Sequence, residues 1–264
     1  MAALASVAIV LTTMRAHAQA VNADVWLQGR YRPFVSAMLD VGYLYFRPRI
    51  AVGWGRPHST WFGVEANPVF STSATGVYGG IRAALPFLDV RVGARGFYSF
   101  DHYFLPNQDS YTLTDYNLAN GNATYVTYET EIRSVFRVGP GELGLLASLS
   151  TITGVPAGMS VYEDTLHIIV RPPGVWRTRA GYTFFIATRI GRFSITPVVD
   201  VLGNPTRAAT MLRAGFLATY LINKHLELRG SFVPSILSPD GIGAVTGGDF
   251  TELGLRYRWA TGDK

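Results

Sequence analysis

The sequence predicts an all-β chain folded as a transmembrane, antiparallel, up-and-down β-barrel of about 12 strands, with 10–14 consistent with the same pattern. Three observations predict it. From about residue 35 onward, apolar and polar residues alternate in stretches of 9 to 16 residues, the period of a strand whose two faces meet different surroundings. Once each stretch is framed by its apolar residues, every charge falls on the opposite face. The connections between stretches alternate between short and long. A face that carries no charge and is aromatic near its ends suits lipid, and a sheet in lipid must close because an unpaired edge cannot be satisfied there.

Composition agrees and excludes alternatives. With 28 Gly and 14 Pro, long soluble helices are disfavoured. The most extended uncharged window, Leu143 to Tyr162, carries Gly144, Gly154, Pro156 and Gly158 and is too weakly apolar for a helix through about 30 Å of hydrocarbon. The absence of Cys removes disulfide scaffolds, thiolate zinc sites and cysteine nucleophiles. The formal charge of +5 rests almost wholly on arginine, since Lys224 and Lys264 are the only lysines. Without lysine-rich clusters or tails, no nucleic-acid partner is expected.

The elements follow in order. Residues 1–18 read as a signal peptide: Ala2 to Leu11 is apolar, and Ala16-His17-Ala18 has the small-X-small form that precedes cleavage, although no basic residue precedes the run. Residues 19–34 are expected as an N-terminal periplasmic segment and 35–260 as the barrel. The first strands fall near 35–45, 48–55 and 60–70, with Asp40, Arg49 and Glu65 on the polar face and Trp54 and Phe70 on the apolar one. The stretch 75–85 places Arg82 on the polar face, and 87–100 sets Asp89, Arg91, Gly93, Arg95, Phe97 and Ser99 against Leu88, Val90, Val92, Ala94, Gly96, Tyr98 and Phe100. Next, 124–138 carries Glu129, Glu131, Arg133 and Arg137, 142–154 carries Glu142, and 175–190 carries Arg177, Arg179 and Arg189. The last four, near 192–202, 210–222, 225–236 and 250–259, contribute Arg192, Asp200, Arg213, Glu227, Arg229, Glu252, Arg256 and Arg258. Altogether 14 arginines and nine acids share the polar face. Pro68, Pro197 and Pro234 cannot donate to a ladder and are expected to mark strand ends or bulges.

Short turns are expected at 56–59, Pro86, Gly139-Pro140-Gly141, Gly191 and Asn223-Lys224, and longer connections at 71–74, 101–123, 155–174, 203–209 and 237–249. With these alternations and aromatic girdle residues (Trp54, Phe70, Phe100, Trp176, Tyr220, Tyr257, Trp259), the chain resembles Gram-negative bacterial outer-membrane β-barrel proteins of about 12 strands, over some 225 of its 264 residues. The resemblance is to the class and to no specific family. It implies a place in the cell outer membrane, outer-membrane lipid as a partner, both termini periplasmic and the long connections external. Such barrels usually end on an aromatic residue; here Leu253, Leu255, Tyr257 and Trp259 alternate as expected, and the chain then continues from Ala260 to Lys264.

A barrel of this size is wider than one that side chains fill and narrower than an open porin. Its expected lumen residues are Arg91, Arg95, Arg133, Arg137, Arg177, Arg179, Arg213, Arg229, Arg256 and Arg258, with Asp89, Glu129, Glu131, Glu227 and Glu252 as acids pairing with them. The arginine excess favours anions, and guanidinium suits carboxylate or phosphate. The expected function is therefore a narrow, arginine-lined outer-membrane channel for passive transport of small anionic solutes. The alternative is a closed structural or surface-binding barrel that acts through loops 101–123 and 155–174. A rim hydrolase built on His102 beside Asp101, or on His167 after Glu163 and Asp164, is the third reading. No catalytic residue, metal or cofactor is assigned, and the sequence leaves the solute and any oligomeric partner open.

Overall fold

The computed structural model describes residues 26, 29–42, 45–188, 191–250 and 254–262. In chain order the strands are β1 (Arg32–Gly42), β2 (Tyr45–Gly55), β3 (Trp61–Ser71), β4 (Ala74–Ala84), β5 (Leu88–Ser99), β6 (Leu105–Pro106), β7 (Ala123–Val138), β8 (Gly141–Thr153), β9 (Met159–Glu163), β10 (Ile168–Val170), β11 (Gly174–Ala187), β12 (Arg192–Asn204), β13 (Ala209–Leu221), β14 (Leu226–Phe232), β15 (Ser235–Leu237) and β16 (Gly254–Ala260). β6, β9 and β10 form a small sheet of their own, and β14 with β15 makes one interrupted strand. The remainder is a closed, 12-stranded antiparallel barrel: β12 pairs with β13, and β16 pairs with both β14 and β1.

The two-residue period sorts side chains as the sequence requires. Outward residues such as Ile50, Val52, Phe62, Val64, Val77, Ile81, Leu149 and Phe232 are exposed apolar groups, and inward residues such as Asp40, Glu65, Arg95, Asp200 and Arg213 are buried. Trp54, Phe70, Phe100, Tyr257 and Trp259 are exposed on the outer face, the distribution expected of a lipid-facing girdle. An exterior of this kind is a transmembrane surface, because a solvated sheet would place its polar face outward.

β1 begins at Arg32 rather than 35, and the expected signal peptide at 1–18 lies outside the described residues. Two connections differ from expectation. Those near 71–74 and 203–209 are tight, because the β3–β4 ladder continues to Phe70 and Thr75 and the β12–β13 ladder to Asn204 and Ala209. Among the described residues three connections are long, 100–122, 154–173 and the one that begins at 238, and all lie at the end opposite the strand ends nearest the termini.

The prolines act where expected but in two ways. Pro234 splits β14 from β15, and the register against β13 slips between Leu212 and Arg213. Pro68 and Pro197 instead stay within strands and interrupt single ladders. The β2–β3 pairing skips from Phe46 and Phe70 to Ile50 and Ala66, across Pro48 and Pro68, and the β11–β12 pairing skips past Pro197.

The long connections do not stand away from the barrel. β9 and β10 turn back into its external half, where Val161, Leu166, Ile168 and Val170 pack on inward residues Ala74, Phe97, Tyr125, Ile152, Val175, Leu202 and Met211. Above them Leu105, Tyr111, Tyr162, Ile169 and Ile242 form a second apolar layer. Arg207 ties this cap together, with Asp240 at 2.5 Å, the carbonyls of Ile169 and Asp109, and its guanidinium over the Tyr111 ring. Of the two long loops 101–123 and 155–174, the second fills the lumen and the first covers it.

Candidate functional site: the lumen beside the plug

The plug leaves one side of the lumen unfilled. A cavity of about 790 Å³ runs beside the plug along β1–β5, β7, β8, β11, β14 and β16, and its lining includes His58 and Trp61 at the terminus-bearing end and Ser71, Ser73, Asp101 and Tyr116 at the other. Eleven arginines line it, Arg47, Arg49, Arg82, Arg91, Arg95, Arg133, Arg177, Arg179, Arg229, Arg256 and Arg258, against the acids Asp89, Asp101, Glu129, Glu131, Asp164 and Asp249. Inward glycines keep the wall low. Gly80 and Gly93 lie under the ring of Tyr78, and a Cβ at either would run into it.

Register explains how the charges meet. Residues directly opposed or diagonal on neighbouring strands lie within about 5–8 Å, so most of these arginines meet an acid on another strand. Arg82 reaches Asp89 at 2.6 Å and Glu65 at 3.3 Å. Arg91 lies 3.4 Å from Glu129 and 3.3 Å from Glu131, and Arg95 lies 2.8 Å from Glu129 and 3.5 Å from Glu163 of the plug. Arg177 and Arg179 share Asp200, at 2.7 and 2.9 Å, and Asp249, at 3.5 and 2.8 Å. Arg213 lies beneath the plug at 3.6 Å from Asp200, and donates to the plug carbonyls of Leu166 and His167. Arg91 and Arg95, and Arg177 and Arg179, are thus compensated from other strands and loops.

The remaining expected residues divide by position. Arg133 is half exposed, 3.5 Å from Glu131, and Arg137 is mostly exposed, 3.9 Å from Glu142, a contact worth about 0–1 kcal/mol. Arg229 is 3.0 Å from Glu227, Arg258 also pairs with Glu227, and Arg256 holds Asp40 through two bonds of 2.5 and 3.0 Å. Arg189 and Glu252 lie outside the described residues.

Sequence reasoning missed three contributors. Arg47 was left out because the strand was begun at Pro48; it shares the parity of Arg49 and reaches Asp40 at 3.2 Å. Asp249 comes from a loop, where no alternation signals an inward side chain. The plug itself was signalled by the apolar Ile168-Ile169-Val170 run within a connection expected to be external.

The histidines form no hydrolytic constellation among the described residues. His102 is buried, its Nδ1 3.8 Å from Asp101 and its ring against Tyr116 and Tyr162, and Tyr162 in turn meets His167. Burial pushes His102 down, and burial followed by the field of Arg213 takes His167 down to about 4, so both are neutral at pH 7. Beside them, burial and then the neighbouring Glu163 push Asp164 up to about 7, with the Ser73 hydroxyl at 3.4 Å opposing.

No protein-family model and no curated protein matches the chain. Three solved chains match it. One is a structure of the NanC porin in a rhombohedral crystal form, 14% identical, covering 87% of this chain and 98% of that chain at a TM-score of 0.35.

Proposed function

We propose that the protein is an outer-membrane channel for passive passage of small anionic solutes, through the gap between the plug and the wall formed by β14, β16, β1 and β2. The supporting observation is the single cavity whose lining reaches residues of both barrel ends and holds 11 arginines against six acids. A closed transmembrane barrel with short turns at the terminus-bearing end fits an outer membrane, with that end periplasmic. In a low-dielectric tube a wall that presents more guanidinium than carboxylate to the cavity favours anions over cations, with Asp40, Glu65, Glu163, Asp200 and Glu227 behind those arginines compensating part of the charge. The expected lumen set Arg91, Arg95, Arg133, Arg177, Arg179, Arg229, Arg256 and Arg258 contributes to this field, those nearest the plug least because they are compensated.

Planar-bilayer recording of the refolded protein tests the reading. Discrete steps with a reversal potential toward the anion side under a KCl gradient are expected. The second reading, a closed barrel acting through its external cap, is favoured by the apolar packing of 159–170 across the lumen. Folded, silent barrels would select it.

A further inference from the structure

Two adjacent rows cross the seam where the chain's ends meet. In one, Arg47 of β2, Asp40 of β1, Arg256 of β16 and Glu227 of β14 stand in register, so charge alternates and each guanidinium faces a carboxylate. In the next, Arg49 of β2 and Arg258 of β16 flank Met38 of β1. Met38 occupies the place that Asp40 holds in the first row. Arg258 is engaged by Glu227, but Arg49 makes no hydrogen bond or ion pair with any described residue, and its Nε is buried without a partner. Glu65, whose field reaches Arg49, is itself held by Arg82 and Arg91. Arg49, Met38 and Arg258 all line the cavity, with His58 beside them. Burial first, and then the fields of Arg258, Arg256 and Arg49, push that imidazole down to about 4 against the pull of its bond to the Trp259 carbonyl, so His58 adds no charge at neutral pH but registers the local positive potential.

We propose that Arg49 and Arg258 form an oxyanion-binding step over Met38, which takes the carboxylate or phosphate group of a small solute in the place a wall carboxylate would otherwise occupy. Arg49 and Arg258 spring from strands two apart, about 10 Å between backbones, a span that two extended guanidinium groups close to the width of one oxyanion. The apolar Met38 floor supplies no competing acceptor and no repelling charge. Arg49 is partly buried, faces the cavity and has no counter-charge among the described residues, so an anion from solution can complete it. The inference rests on the cavity being reached by solute, as the channel reading requires, but binding needs access from one end only.

The test is calorimetric titration of the full-length refolded protein with inorganic phosphate and, separately, with acetate, alongside bilayer recording. Met38→Glu installs the missing carboxylate and Met38→Gln the same shape without charge. The expected result is saturable binding of at least one anion, weakened tenfold or more by Arg49→Gln and by Met38→Glu and much less by Met38→Gln. Comparison of phosphate with acetate identifies the preferred oxyanion. Equal affinity in all four proteins, each folded by circular dichroism, overturns the site, as does equal weakening by Met38→Gln and Met38→Glu. Binding with this pattern in a protein that never conducts supports the site and overturns the channel. Anion-selective conductance unchanged by Arg49→Gln and Met38→Glu leaves the channel standing and overturns the site.

Discussion

The two sides of this lumen solve opposite problems with the same residue type. Where the plug packs against the wall the arginines are matched: Arg95 to Glu129 and Glu163, Arg177 and Arg179 to Asp200 and Asp249, Arg213 to Asp200 and plug carbonyls. Along β14, β16, β1 and β2 the wall stands away from the plug, and five arginines (Arg47, Arg49, Arg229, Arg256, Arg258) share Asp40 and Glu227 among the described residues. The difference teaches that inward arginine is not one signal. Where the interior is dry, a guanidinium is structural and must be paired; where it is wet, it can remain available to a solute.

The sharpest break of this comparison is Asp200→Asn. It leaves Arg177, Arg179 and Arg213 without their shared carboxylate in the plugged half and should destabilise the barrel by about 3–5 kcal/mol, measured by urea unfolding in micelles. Next, replacing 159–170 by a short Gly-Ser linker should raise single-channel conductance severalfold, because it removes the apolar filling while the seam wall is untouched. Reversal to Glu should then separate the walls. At Arg49, Arg256 and Arg258 it should invert the sign of the reversal potential, whereas at Arg91, Arg95, Arg177 and Arg179 it should loosen the plug more than it alters selectivity. A smaller effect concerns acidity. Asp164 has a folded-state pKa raised to about 7, so the docked plug binds a proton that the undocked one releases; plug stability is greatest at low pH and falls as pH rises from about 4 through 7. Amide exchange at Ile168 to Val170, corrected for its intrinsic pH dependence, should therefore accelerate between pH 5 and 8, and Asp164→Asn should flatten that slope.

Most of the barrel was legible because alternation is forced residue by residue: an outward charge in hydrocarbon or an inward mismatch in a dry core is expensive, so Asp89, Arg91, Glu129, Glu131 and Arg179 could be placed inside from parity alone. Pairing was less legible, since it depends on register, and register depends on turns. Parity places Arg91 and Glu131 both inside, but only register shows that they stand directly across the ladder from each other. Arg47 was lost because the second strand was begun one residue after it, at 48. The plug was least legible, because a loop that folds inward obeys no period, and only the apolar run at 168–170 hints that the connection is buried.

The row Arg47, Asp40, Arg256 joins side chains 216 positions apart in the chain, and it exists only once the last strand has found the first. Contacts of such separation form late, after the intervening hairpins are in place. The oxyanion step over Met38 is therefore absent from every partly assembled barrel and appears with completion. A solute that occupies it rewards closure by mass action, and a labelled anion retained there would serve as a probe of finished barrels, distinguishing them from those still open at the seam.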